Sequence, residues 1–185
     1  KLGGGLTYNS GSHLIDQAVR LFGLPEAVYA DLGTVRTGGM VDDYFVIRFL
    51  RPALAPELKV SLKASYLMRT PEPRFVLHGT LGSFVKYGID RQEEDLIAGK
   101  SPLEQNWGKE DEEFYGWLHT EADGREINTR YEGPAGNYGA FYENIYRHLR
   151  LNEALETDAS EVLDVIRIIE AAYQSHKEER IIHLR

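Results

Sequence analysis

Apolar residues recur along this chain with two different periods, and the switches between them divide it into elements. Residues 11–22 carry Leu14, Ile15, Ala18, Leu21 and Phe22 at helical spacing, which predicts a helix with one dry face. Gly23 stands where a helix C-cap is expected, and Pro25 prevents continuation. The period then drops to two. Residues 27–36 predict a strand, broken by Gly38 and Gly39. In 43–50, Phe45, Ile47 and Phe49 alternate with Tyr44, Val46 and Arg48. In 58–68, Leu58, Val60, Leu62, Ala64, Tyr66 and Met68 alternate with Lys59, Ser61, Lys63 and Ser65. Short strands follow at 74–78 and 83–87. A hairpin is predicted at 114–120 and 126–131 around Ala122-Asp123-Gly124. Between these lies an acidic, loop-rich insert, 88–111, with a helical stretch at 90–98. Two helices come last. Residues 137–151 carry Phe141, Ile145, Tyr146 and Leu149 on one side. Residues 158–177 carry Val162, Val165, Ile166, Ile169, Ala172 and Tyr173, opened by Asp158 and Glu161 as a capping box. A short strand is expected at 181–184.

A helix, a run of mostly hairpin-connected strands and two closing helices predict an α+β fold. Its centre is a large, mainly antiparallel (mixed) open sheet with helices packed on one face. The 185 residues suit a single domain, 1–185, with one well-formed core. Several strands are apolar on both sides, so the face without helices is too apolar for water. A second copy of the same sheet is the expected cover, giving a homo-oligomer.

Composition narrows the function classes. The formal net charge is −8 and no Lys/Arg cluster interrupts it, which argues against a nucleic-acid surface. Cysteine is absent, so disulfides, thiolate nucleophiles and cysteine-ligated zinc are excluded. No apolar run approaches a membrane span, and a cytoplasmic location is expected. The six histidines lie on separate elements and give no metal-ligand spacing. Ser12 and Ser83 do not sit in a Gly-x-Ser-x-Gly elbow. The acidic runs at 93–95 and 110–113 read as solvated loop charge rather than as the carboxylate pair of a glycosidase. Trp107, in the insert, reads as packing, with an aromatic facing a carbohydrate pocket as the alternative.

Candidate chemistry concentrates at the N-terminal end. Gly3-Gly4-Gly5 leads into Asn9-x-x-x-His13-x-x-Asp16. At about 100° per residue, these three side chains fall within about 60° of one another on a helix. Gln17 and Arg20 extend the stripe. An imidazole near a helix N-terminus is disfavoured in its charged form and can accept a proton. The same stripe would also suit a plain solvated helix face.

The block Gly3-Gly4-Gly5-x-x-Tyr8-Asn9-x-Gly11-Ser12-His13-Leu14-Ile15-Asp16-Gln17 resembles the start of the C-terminal domain of the glucose–fructose oxidoreductase / inositol dehydrogenase / rhizopine catabolism family. The resemblance continues through residues 77–88, 136–142 and 162–175, in order. It implies the C-terminal half of an NAD(P)-dependent sugar or polyol oxidoreductase, with a fold like the C-terminal domain of glyceraldehyde-3-phosphate dehydrogenase. It implies His13 as the catalytic acid/base or hydroxyl-positioning residue, Asn9 and Tyr138 as substrate-binding residues, and Asp16 as a supporting residue that fixes the helix or orients the imidazole. It also implies packing of sheets in dimers or tetramers. Many family members carry Asp where this chain has Asn9. An amide can hydrogen-bond a substrate hydroxyl but does not stabilise an imidazolium as a carboxylate does.

No strand here runs into Gly-x-Gly-x-x-Gly with a following acidic residue, and the family's Glu-Lys-Pro segment is not found. The chain therefore reads as a C-terminal domain excised from a two-domain enzyme. The N-terminal dinucleotide-binding (Rossmann) half is expected in cis in the parent. NAD or NADP is expected there, and none bound by this chain alone, which is expected to be inactive. The competing reading is non-catalytic: a self-association or carbohydrate-binding module.

Overall fold

The computed structural model describes residues 3–157 and 159–184. A π turn, Thr7–Gly11, runs without a break into α1, Ser12–Phe22. There follow β1, Pro25–Gly33; β2, Tyr44–Pro52; β3, Val60–Ser65; β4, Phe75–His78; and β5, Gly82–Lys86. Next come α2, Gln92–Ile97; β6, Gly116–Ala122; β7, Arg125–Tyr131; α3, Tyr138–Leu151; α4, Ala159–Glu178; and β8, Ile182–His183. The fold is α+β, as the patterning implied. The strands form two four-stranded antiparallel sheets, ordered β3-β2-β1-β8 and β4-β5-β6-β7. Alternation fixes which face a side chain takes but not which strand lies beside it. That is why a single large sheet was expected.

The chain divides into two compact units, residues 1–68 with 157–185, and residues 69–156. The first holds the core. Val28, Ala30 and Leu32 of β1 and Phe45, Ile47 and Phe49 of β2 lie on one sheet face, all nearly or fully buried. Ile15 and Ala18 of α1, with Val165, Ile168, Ile169 and Ala172 of α4, belong to the same buried cluster. Leu21 is a correction to the predicted dry face: it is 53% exposed. The opposite face of this sheet carries Tyr29, Asp31, Val46, Arg48 and Lys63, a mixed surface set by the register.

The second unit contrasts with the first. Among its described residues only Gln92, Gly108 and Gly116 are buried. None of α3 is buried, and Phe141, Tyr142 and Leu149 are 61%, 71% and 74% exposed. The register of the second sheet puts Leu77, Phe84 and Leu118 in one cross-strand row and Val76, Val85 and Trp117 in the next. These rows face opposite ways. Its one buried polar side chain among the described residues is Gln92, which bonds Asp90, Trp107 and the Tyr138 N–H. Asp158, predicted as half of a capping box, lies outside the described residues; Glu161 instead bonds Arg20 at 3.3 Å.

Candidate functional site

The helix that carries the polar stripe begins earlier than its hydrophobic pattern shows. Leu6 is already helical, and Gly11 and Ser12 keep the same backbone conformation through the π turn. Its exposed N–H end is closed by a carboxylate distant in sequence. Asp42 Oδ2 accepts the Thr7 N–H at 2.7 Å and the Thr7 Oγ1–H at 2.7 Å, while the Asp42 carbonyl accepts the Leu6 N–H at 2.8 Å. Asp42 Oδ1 accepts the Tyr173 hydroxyl of α4 at 2.5 Å. This is a helix cap supplied from outside the helix, with the negative charge at the positive end of the dipole. Gly5 makes it possible: at φ +105°, a Cβ there would sit 2.1 Å from Asp42 Oδ1. Tyr8 stacks on Tyr173 with centroids 5.6 Å apart. Burial, and then the bond to Asp42, push the Tyr173 hydroxyl well above its ordinary value. An open cavity of about 620 Å³ lies here, lined by Tyr8, Asp42, Glu170, Tyr173 and His176 among others.

The predicted residues fall at the following places. His13 is exposed, at the second position of α1, and has no hydrogen-bond partner among the described residues. The N–H groups at the helix start, capped by Asp42, are those of Leu6 and Thr7, so the helix end expected beside the imidazole lies more than a turn upstream. Asn9 is exposed and lies inside the π turn, so a uniform α-helical step does not relate it to His13. Its Nδ2 lies 3.5 Å from the Tyr66 hydroxyl. π turns within helices concentrate at functional sites. Asp16 is exposed, with no hydrogen bond to His13 among the described residues. Tyr138 belongs to the other unit, at the start of α3.

Each unit holds one further polar cluster. In the β1–β2 loop, fully buried Asp43 accepts the Val35 N–H at 2.7 Å, the Arg36 N–H at 3.2 Å and Arg36 Nε–H at 2.7 Å. The Val35 bond is the largest cause holding its carboxyl below the ordinary value; burial opposes it, and Arg36 adds to the lowering. A depressed carboxyl stabilises the fold above the unfolded-state value of 3.8 and loses that contribution as pH falls below it. Asp43→Asn should therefore lower the urea midpoint near neutral pH. The gap from the parent protein should narrow as pH falls through the acid range, and urea titrations at a series of pH values read this directly.

In the second unit, Gln92 Oε1 accepts the Trp107 indole N–H at 2.7 Å and the Tyr138 N–H at 2.8 Å, while Nε2 donates to Asp90 Oδ2 at 2.7 Å. Asn137 Oδ1 accepts the Ala140 N–H at 3.2 Å and caps α3. The Tyr138 ring is thereby held at a fixed helix start. Burial, then Asp90 and Glu93, push its hydroxyl upward. Asp42, Asp43, Arg36 and Gln92 had no signal in the periodicity. Among the described residues no group of three or more His, Asp or Glu side chains could hold a metal ion. No described helix is long and apolar enough to cross a membrane.

The family model for the oxidoreductase family C-terminal alpha/beta domain matches residues 1–184. The chain belongs to this family, whose members are the Gfo/Idh/MocA oxidoreductases. The scyllo-inositol 2-dehydrogenase (NADP(+)) IolW of Bacillus subtilis is 38% identical over 180 residues, covering 97% of this chain and 49% of that protein. A crystal structure of a protein assigned as an oxidoreductase from Bacteroides fragilis superposes with a TM-score of 0.94 at 65% identity, covering 98% of this chain and 54% of that one. The yvaA oxidoreductase structure from Bacillus subtilis gives a TM-score of 0.93 at 37% identity, over 100% of this chain and 52% of that one. The chain thus spans about half the length of the curated relatives it matches.

Family membership raises the question of a nicotinamide cofactor. Among the described residues, the glycine-led start before α1 does not fit a dinucleotide pyrophosphate. Pyrophosphate sites use the free N–H groups of a glycine-led helix N-terminus. Here the glycine-led start before α1 already gives the Leu6 and Thr7 N–H groups to Asp42.

Proposed function

We propose that this chain is the substrate-side half of a longer NAD(P)-dependent oxidoreductase acting on a secondary alcohol of a sugar, polyol or sugar derivative. The observation that carries the reading is the exposed His13 imidazole, without a hydrogen-bond partner among the described residues, on a helix that also presents Asn9, in a domain of this family. In the proposal, a His13 ring nitrogen takes the proton of the substrate hydroxyl as the alcohol becomes a carbonyl. Asn9 donates or accepts a hydrogen bond to hold a substrate hydroxyl. Tyr138 is proposed as a substrate-binding residue in its own right, and Asp16 as a supporting residue that fixes the helix. The cofactor and the lysine partner belong to the dinucleotide-binding half, outside these residues. A cytoplasmic setting goes with the cysteine-free composition.

The test has two arms. The full-length protein should reduce NAD or NADP with at least one inositol, alditol or aldose. The 185-residue chain alone should show no NADH affinity tighter than about millimolar in a fluorescence titration, because its helix start is closed by Asp42. Tighter binding would overturn the assignment of the nucleotide to the other half.

A second reading, self-association, is favoured by the open second unit. Val76, Leu77, Trp117 and Tyr131 are 49%, 42%, 44% and 56% exposed, and α3 adds Phe141 and Leu149. Apolar surface on this scale calls for a cover. We infer a homodimer or tetramer built on sheet faces, compatible with the enzymatic reading. Light scattering at micromolar concentration should return at least twice the 21.0 kDa chain mass; a monomer would overturn this.

A further inference from the structure

A cation that the proposed mechanism leaves unused lies against Tyr66, the residue whose hydroxyl meets Asn9. The β1–β2 loop is tightly folded: Gly39 N–H donates to the Arg36 carbonyl at 3.0 Å, and Thr34 Oγ1 to the Val41 carbonyl at 3.0 Å. Buried Asp43 then fixes Arg36 through both its backbone N–H and its Nε. The guanidinium carbon stands 5.0 Å from the centroid of the Tyr66 ring, and the Tyr66 hydroxyl is 3.5 Å from Asn9 Nδ2. The Arg36 side chain is still 47% exposed. One edge of the guanidinium is therefore tied, one face is covered, and the Nη groups make no other hydrogen bond among the described residues.

We propose that Arg36 and Tyr66 form a specificity subsite next to Asn9, which reads a pair of neighbouring hydroxyls on an uncharged polyol or sugar. This rests on the reading of Asn9 and His13 as substrate residues. A guanidinium held in its plane presents parallel N–H donors, a fork that fits two oxygen acceptors at once. Two vicinal hydroxyl oxygens supply such a pair, as a carboxylate does. Charge separates the two. Asp43 is fully buried and Arg36 is its ion-pair partner at 2.7 Å. A substrate anion would compete with a buried carboxylate for the same cation, and a buried charge without its partner is costly. Neutral hydroxyls accept from the Nη groups without drawing Arg36 from Asp43. The Tyr66 hydroxyl, long-bonded to Asn9, is free to take a third substrate hydroxyl. Its ring holds the guanidinium in place through a cation–π contact.

The experiment uses the full-length enzyme and the neutral polyol it turns over fastest among inositols and alditols. It adds an analogue of that polyol lacking one hydroxyl, and glucuronate. Arg36→Lys keeps a cation for Asp43 but loses the fork, and Tyr66→Phe keeps the ring but loses the hydroxyl. Arg36→Lys should raise KM for the neutral polyol about 10- to 100-fold with kcat within about threefold, the pattern of lost uniform binding. Tyr66→Phe should raise it about 3- to 10-fold by the same logic. Against the analogue lacking a hydroxyl that Arg36 reads, the Arg36→Lys penalty should fall to about twofold or less, since the fork has only one acceptor left. A larger Arg36→Lys penalty on glucuronate than on the polyol overturns the proposal in favour of an anion receptor. Turnover of acidic sugars only, an unaltered KM, or a fall in kcat alone overturns it as well. His13→Ala run beside these variants separates the two levels. If it abolishes turnover while Arg36→Lys leaves KM unchanged, only the subsite fails. If His13→Ala is silent, the reading beneath it fails.

Discussion

His13→Ala in the full-length oxidoreductase should lower turnover about 10²- to 10⁴-fold, the range for loss of a positioned proton acceptor, or roughly 3–5 kcal/mol of barrier. The melting temperature should stay within a few degrees, for structural reasons. His13 is exposed, and the buried side chains of α1 are Ile15 and Ala18, which pack in the core. Removing the imidazole therefore opens no cavity and strands no hydrogen-bond partner among the described residues. Steady-state rates together with a thermal melt distinguish the outcomes. Lost turnover with an intact melt supports proton transfer at His13. Near-normal turnover would reduce the stripe to an ordinary solvated helix face, and a collapsed melt would mean that His13 is structural.

That stripe was visible in the sequence, but its mechanical support was not. Local periodicity identified α1, and Gly23 and Pro25 marked its end. The helix start was hidden because its cap is 35 residues away. Gly3-Gly4-Gly5 was visible as a glycine run before the helix, but the element that Gly5 admits, Asp42, was not. Asn9 was placed by a regular helical step that the π turn does not follow. Two other features share this cause. The cross-strand neighbours of β3 and β4 cannot be read from alternation, so the division into two sheets was missed. Trp107 was read as packing and is also a hydrogen-bond donor, because its partner Gln92 lies across a loop. What the sequence withholds throughout is the pairing of polar groups far apart in the chain. Hydrophobic periodicity carries no record of it.

Gln92 is where that omission matters most for stability, and it carries the second large expected effect. In a unit with almost no buried apolar side chain, Gln92 is fully buried and joins α2, the Trp107 loop and the start of α3 through three hydrogen bonds. The surroundings leave no room for rearrangement. A Cβ on Gly136 would lie 2.4 Å from Gln92 Nε2 and 1.9 Å from Asp90 Oδ2, and one on Gly108 would lie 2.0 Å from the Gly136 carbonyl oxygen. Gln92→Leu has nearly the same size but leaves the Tyr138 N–H, the Trp107 N–H and the Asp90 oxygen without their partner. Each unsatisfied buried group costs about 1–3 kcal/mol, less where water can enter. A loss of about 2–4 kcal/mol is therefore expected, on the order of 10 °C in melting temperature for a chain of this size. Gln92→Glu restores the acceptor for Trp107 and Tyr138 but turns the group facing Asp90 from a donor into a like charge. It should be at least as destabilising near neutral pH. Urea unfolding followed by circular dichroism measures both. A Gln92→Leu variant within about 0.5 kcal/mol of the parent protein, the range of an ordinary surface change, would mean that the three bonds do not hold the unit together. The start of α3, and Tyr138 with it, would then have to be fixed by something else.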